Sequence, residues 1–253
     1  MNDLEWLHLM RHDELDVALE KFPKGKNIKI LELGSGDGYM GKCLTEQNYD
    51  VICTDINPKL PSMFPVRKII DGKLDFSSET FDLIFTSQVI AHVENLELFF
   101  DEVKRVLKKD GLMINLVPTT GWWIITNFWH YVLTPYNFLK FLKKSKIKDN
   151  QDKDNQDKDN IKKIETRLME KIINYLFLHP LGNSPSFIYE LKKFSKNNWI
   201  QLFKKYEFKI IEINKSTYAY SGYFILKMKL MNFRKIFSKY FLPTTYCFVL
   251  QKT

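Results

Sequence analysis

Ile30-Leu31-Glu32-Leu33-Gly34-Ser35-Gly36-Asp37-Gly38 runs a short apolar segment straight into three glycines at alternate positions, and Tyr39 to Gln47 after it reads as a helix. The order strand, glycine loop, helix marks the first unit of an open α/β sheet. Glycines let the backbone turn tightly and approach a ligand with no Cβ in the way. The helix that follows offers unpaired N–H groups and the positive end of its dipole. Open α/β sheets bind their ligands at this place, the carboxyl ends of parallel strands.

Working outward, strands and helices alternate. Val51 to Thr54 reads as a second strand ending at Asp55, Val66 to Ile70 as a third, Phe81 to Thr86 as a fourth and Leu112 to Val117 as a fifth. Leu96 to Lys109 reads as a helix, with Asn95 placed to cap its start and Gly111 just past its end. Leu4 to Phe22 reads as an amphipathic helix, with Leu4, Leu7, Val17, Ala18 and Phe22 on its apolar face and Pro23 and Gly25 ending it. This alternation predicts βαβ units and a parallel sheet.

After Pro118 the pattern changes. Thr119 to Phe141 is rich in Trp, Tyr and Phe, and Lys140, Lys143, Lys144 and Lys146 follow closely. Lys148-Asp149-Asn150-Gln151-Asp152 is repeated as Lys153-Asp154-Asn155-Gln156-Asp157, a run without apolar residues that reads as a disordered loop over about 147–160. Ile161 to Leu178 and Ser195 to Tyr206 read as helices, Phe208 to Asn214 as a strand, Tyr223 to Phe241 as a basic amphipathic helix and Thr245 to Leu250 as a last strand. The expectation is a single α/β domain over 1–253. It has a Rossmann-like, seven-stranded, mostly parallel sheet, helices on both faces, and a helical, aromatic insertion at 118–194 before the last two strands.

The bulk numbers narrow the function classes. A formal net charge of +8 favours anionic partners. Three cysteines, Cys43, Cys53 and Cys247, in no Cys-x-x-Cys or Cys/His cluster, argue against a disulfide framework or a structural metal site. Cysteines that cannot pair completely fit a reducing, cytoplasmic setting; the acidic N-terminus does not read as a signal peptide, and the longest apolar stretches are interrupted before the length that spans a bilayer. Basic residues alone supply no base readout, which leaves nucleic acid a weak reading.

Taken alone, the glycine loop is ambiguous. Gly36-x-Gly38-x-x-Gly41 fits the dinucleotide fingerprint, and Asp55 lies where that fingerprint wants its ribose-binding acid. Asp55 also suits a turn cap before Asn57-Pro58. The neighbouring segments add more. Glu32, Gly34, Gly36 and Gly38 match an acidic-x-Gly-x-Gly-x-Gly loop. They are followed by Leu74-Asp75-Phe76-Ser77-Ser78-Glu79-Thr80-Phe81-Asp82-Leu83-Ile84-Phe85, by Ser87-Gln88-Val89-Ile90-Ala91-His92, and by Glu102-Val103-Lys104-Arg105-Val106-Leu107-Lys108-Lys109-Asp110-Gly111. Over residues 28–117 this series resembles the class I S-adenosylmethionine-dependent methyltransferase family, in its small-molecule branch. Asp75 stands where the family has Pro, and Asp110-Gly111 where it has Pro-Gly-Gly.

The resemblance implies roles. Gly34, Ser35, Gly36 and Gly38 would line the methionine and ribose parts of S-adenosyl-L-methionine, and Glu32 would hold the loop and approach the cofactor's amino group. Asp55 would take the ribose hydroxyls, Ile56 would lie against the adenine, Asp71 and Gly72 would flank it, and Ser87 and Gln88 would sit near the methyl group. His92 is the candidate general base, by its pKa range, against a structural role at its helix start; His130 and His179 are alternatives. Specificity would come from the insertion and the N-terminal helix. Trp122, Trp123, Phe128, Trp129 and Tyr131 beside the lysines suit either a lid packed on the sheet or contact with an anionic membrane. The expected function is methyl transfer to a small-molecule acceptor such as a lipid, quinone or glycan intermediate. Two alternatives stay open: an NAD(P)-linked oxidoreductase, though no Tyr-x-x-x-Lys pair is suitably placed, and a non-catalytic module binding a membrane surface or a partner.

Overall fold

The computed structural model describes residues 2–25, 27–149, 186–216, 218–221 and 226–252. The expected helix at 161–178, His179 and nearly all of the expected loop at 147–160 lie outside them. Seven strands, β1 (Lys29–Leu33), β2 (Asp50–Asp55), β3 (Val66–Lys68), β4 (Phe81–Ser87), β5 (Leu107–Pro118), β6 (Phe208–Lys215) and β7 (Thr245–Lys252), form one sheet in the order β3-β2-β1-β4-β5-β7-β6. β1 to β5 pair in parallel; β7 runs antiparallel to both β5 and β6. The expected seven-stranded, mostly parallel α/β sheet is thus present.

Alternate residues of the central strands feed two cores. Leu31, Leu33, Ile84 and Met113 face one side, where α3 (Leu96–Val106) and α6 (Lys196–Lys205) bring Phe100, Val103, Trp199 and Phe203. Ile30, Leu83, Phe85 and Ile114 face the other, against α1 (Asp3–Leu19) and α2 (Tyr39–Glu46), which bring Leu15, Ala18 and Leu44. Burial on both faces is why these strands read as continuous apolar runs. The remaining helices are α4 (Thr120–Asp149), α5 (Phe187–Lys193) and α7 (Met231–Tyr240).

Three local expectations need correction. The helix expected to reach Lys109 stops at Val106, where Leu107 turns extended and pairs with Phe81 as the start of β5. Gly111 therefore lies within that strand, packed so closely on Leu107 that a Cβ would come within 2.6 Å of its side chain, and is no helix cap. The helix expected from Tyr223 begins at Met231, because Leu230 takes a left-handed conformation (φ 55°) that cannot propagate a helix. On α1 the buried stripe is Trp6, Met10, Glu14, Leu15 and Ala18, while Leu4 is exposed. The acid at position 14 hides the stripe from an apolar count.

Candidate functional site

The loop after β1 crosses the carboxyl ends of β1 and β2. Gly34, Gly36 and Gly38 all take positive φ (74°, 60° and 79°), which an L side chain adopts only at a cost. Their surroundings differ. A Cβ on Gly34 would lie 2.3 Å from a Val89 methyl, and one on Gly38 would lie 2.7 Å from the Phe64 carbonyl oxygen. Gly41, one turn into α2, has no room at all, since a Cβ would fall 2.0 Å from Cys53 Sγ. Above Gly36 the nearest atom is Lys59 Cδ at 4.0 Å. Gly34, Gly38 and Gly41 therefore serve close packing, and Gly36 alone leaves an open cradle. The contrast predicts that Gly41→Ala lowers stability by about 1–3 kcal/mol through overpacking in thermal unfolding. Gly36→Ala, with only its backbone strain of about 1–2 kcal/mol, should unfold later than Gly41→Ala while losing ligand in calorimetry.

Asp55, at the end of β2, faces this cradle. Gly36 N–H donates to one carboxylate oxygen at 2.8 Å, and Asn57 N–H to the other at 2.7 Å. It is thus both turn cap and loop clamp, and each oxygen keeps a lone pair for a further donor. Ile56 beside it is 69% exposed. Ser35 is buried and braces the loop: its hydroxyl donates to the Glu32 carbonyl and accepts the Thr54 N–H.

Glu32 shares its strand parity with Ile30, so its side chain enters the α2 side of the sheet, under Gly41. It is buried, and Cys53 Sγ donates to it at 3.1 Å. Burial pushes its carboxyl up to about 7, against the opposing hydrogen bonds from Cys53, Ser35 and the Gly41 backbone. Near neutral pH this is a carboxylate short of positive charge.

The other expected residues divide. Asp71 and Gly72 form a tight turn, both at positive φ, closed by an Ile70–Lys73 bridge. Gly72 faces Leu98 of α3, where a Cβ would meet that side chain at 2.9 Å. Ser87 ends β4 and Gln88 follows it, both bonded to Glu14 of α1. His92 lies in a short 3-10 turn (Ile90–His92). Its ring makes no hydrogen bond among the described residues, and burial and the Lys193 ammonium lower its pKa. His130 is buried on α4.

The group that caps the site is one that the sequence motifs do not mark. Glu14 of α1 is 1% exposed. Its Oε1 accepts from Tyr220 OH (2.6 Å), Thr245 Oγ1 (2.7 Å) and Gln88 Nε2 (3.2 Å). Its Oε2 accepts from Arg11 Nη1 (2.5 Å) and Ser87 Oγ (3.4 Å). Burial works against the Arg11 charge, yet the Glu14 carboxylate keeps the guanidinium pKa above its ordinary value. Burial and then Glu14 push the Tyr220 phenol far up, so it stays a neutral donor. Farther along α1, His8 meets Asp37 Oδ2 at 2.8 Å and stacks on Tyr39 at 4.1 Å. One helix therefore clips both the glycine loop and the end of β4. The available signal was the helical spacing of Trp6, Met10 and Glu14, which puts an acid on an apolar stripe.

Tyr220 also borders a cavity of about 340 Å³ between α4 and α7, with Ile125, Phe128, Trp129, Phe237 and Leu242 among its walls.

Residues 31–115 match the family model of a methyltransferase domain. The chain is 30% identical over 112 residues to the uncharacterized methyltransferase YbaJ of Bacillus subtilis, covering 40% of this chain and 44% of that one. It is 24% identical over 98 residues to the ubiquinone biosynthesis O-methyltransferase of Pelagibacter ubique, covering 35% and 41%. It thus spans less than half the length of either relative. The fold matches, at 13% identity and TM-score 0.53 over 100% of both chains, a putative S-adenosylmethionine-dependent methyltransferase of Listeria monocytogenes. The matched stretch holds the glycine loop, Asp55 and the end of β4, which lie at the carboxyl ends of the neighbouring strands β1, β2 and β4. The chain thus carries a methyltransferase domain over residues 31–115, set in a fold similar to that of a putative S-adenosylmethionine-dependent methyltransferase.

Proposed function

We propose that this chain moves the methyl group of S-adenosylmethionine to a small-molecule acceptor whose apolar body lies in the groove between α4 and α7. The observation that carries this reading is the open cradle over Gly36 beside the half-satisfied Asp55 carboxylate, one strand away from Ser87 and Gln88. The donor set fits the cofactor. Asp55 has lone pairs for two ribose hydroxyls, Ile56 offers an exposed apolar side chain to a flat ring, and Glu32 is a buried anion that a nearby ammonium would stabilise. Asp71 and Gly72 would border the adenine from the turn after β3.

When bound, the cofactor supplies a methyl already activated by its sulfonium. The protein's part is to align the acceptor and exclude water. α1 supports that task as a cover pinned at Asp37 by His8 and at Ser87 and Gln88 by Glu14. Glu14 accepts five hydrogen bonds and Tyr220 stays protonated, so neither stands ready as a general base; His92 is not joined to this cluster. Tyr220 connects the two halves: its hydroxyl lies 3.4 Å from Gln88 Nε2, and its side chain borders the apolar groove. The ubiquinone-pathway relative is, by its name, an O-methyltransferase of a small-molecule pathway, which agrees with an apolar acceptor.

Calorimetry with S-adenosylmethionine, S-adenosylhomocysteine and NADH tests the cofactor side. Binding of both methyl-cofactor forms and not of NADH is expected; NADH binding alone would sink the reading. A screen of quinone, lipid and saccharide acceptors with labelled methyl donor tests the other side. Apolar acceptors are expected to be labelled, and Phe237→Asp is expected to abolish the labelling.

A further inference from the structure

We propose that the outer face of α4 and α7 seats on an anionic lipid bilayer. α7 is an amphipathic helix turned inside out. Arg234 and Ser238 are buried at 5% and 0% exposure, while Phe233, Ile236, Tyr240 and Phe241 stand 62%, 56%, 68% and 70% exposed. Arg234 explains the inward polar face: it donates to the Ala219 and Lys227 carbonyls and lies over the rings of Trp6 and Tyr218, at 5.2 and 5.0 Å. The outward positions 233, 236, 240 and 241 follow helical spacing, so they make one apolar stripe. α4 presents a parallel row, Ile124, Phe128, Val132 and Tyr136, all exposed. Phe128 and Phe233 both line the groove between the two helices, which joins the rows into one face. An exposed apolar area of this kind marks an interaction surface.

Charge selects the occupant. No Asp or Glu occurs from Gly111 to Lys148, nor anywhere after Glu212. On the flank of α7 away from the groove, Lys215, Lys235 and Lys239 border a cavity of about 380 Å³ together with Ile236 and Tyr240. An apolar stripe with cations at its edge matches acyl chains below anionic headgroups. A second copy would bring these lysines against their own equivalents, and nucleic acid would leave the aliphatic residues unpaired with anything apolar. Among the described residues no helix is long and apolar enough to cross a membrane, so the contact is peripheral. The groove opens on the same face, which gives an amphiphilic molecule a path from the bilayer to Tyr220.

Co-sedimentation of the full chain with sucrose-loaded vesicles tests this, without cofactor or acceptor, so that it fails or succeeds separately from methyl transfer. Vesicles of phosphatidylcholine containing phosphatidylglycerol are expected to bind the chain at low salt, and phosphatidylcholine alone at least about tenfold less. The pair Lys235→Glu with Lys239→Glu, and separately Ile236→Ser with Phe241→Ser, should each cut partitioning at least about tenfold, with circular dichroism and cofactor calorimetry unchanged. No binding to the anionic vesicles, or binding by both double variants undiminished from the wild type, would overturn the proposal. So would a concentration-dependent dimer in analytical ultracentrifugation that the same substitutions dissolve.

Discussion

Glu32→Gln is expected to make the unliganded chain more stable at pH 8 and to weaken its grip on S-adenosylmethionine. The buried carboxyl holds its proton up to about 7, against an ordinary value of 4.5. The folded state therefore binds this proton more tightly than the unfolded state does. The group's contribution is most favourable below 4.5, declines as pH rises from there, and by pH 8 amounts to a cost of about 3 kcal/mol, at about 1.4 kcal/mol per pKa unit. Glutamine keeps the shape and an acceptor for Cys53 Sγ while removing the charge. Thermal unfolding should show the gain at pH 8 and almost none at pH 4. Equal gains at both would mean that ionisation of Glu32 is not the source. The charge has a use only once an ammonium lies close by. Loss of one charge-assisted interaction of about 1.5–3 kcal/mol predicts roughly ten- to a hundredfold weaker cofactor binding in calorimetry. For the same reason wild-type affinity should fall as pH drops from 8 to 6, and the fall should vanish in Glu32→Gln.

Glu14→Ala is expected to give the largest loss of stability. The substitution strands the Arg11 guanidinium and takes the acceptor from Tyr220, Thr245 and Gln88 at once. Arg11 keeps a quarter of its side chain in solvent, so the loss rests on the buried Tyr220 and Thr245 hydroxyls left without this acceptor, about 1–3 kcal/mol each, a large share of the roughly 5–15 kcal/mol that holds a domain folded. A fall of about 10 °C or more in the unfolding midpoint should follow, at about 2–4 °C per kcal/mol for a domain near this size. Brief proteolysis should then cut α1 first, since Glu14 ties that helix to β4 and β7. Glu14→Gln keeps the geometry for Tyr220 and Thr245 and should lose less. If Glu14→Ala melts within a degree or two of the wild type, α1 is not held by this group.

The two variants separate local from assembled information. Glu32 belongs to a pattern of nine consecutive residues, so the chain order alone places it under the loop. Glu14 sits 73 residues before Ser87 and 231 before Thr245, and no local pattern ties them. Helix ends depart from their sequence signals where tertiary pairing overrides propensity. Lys108 and Lys109 favour helix, but Leu107 is drawn into the sheet by Phe81. His92 suggests catalysis because imidazole titrates near neutrality, a property of the residue type that carries no information about its neighbours.

By itself, then, the sequence determined the parallel part of the sheet, the glycine loop, the strand-end position of Asp55 and the match of residues 31–115 to a methyltransferase domain. Apolar periodicity, turn glycines and strand-end acids act over a few residues, so their spacing along the chain already holds their physics. Only the tertiary structure decided that Gly36 is the open position among the glycines, that Glu14 of the first helix closes the site with Tyr220 and Thr245 from the far end, and that α7 turns its aromatic side outward. Each of these depends on which surfaces meet after the sheet has assembled. An amphipathic pattern says that a helix has two faces; its neighbours choose which one is buried.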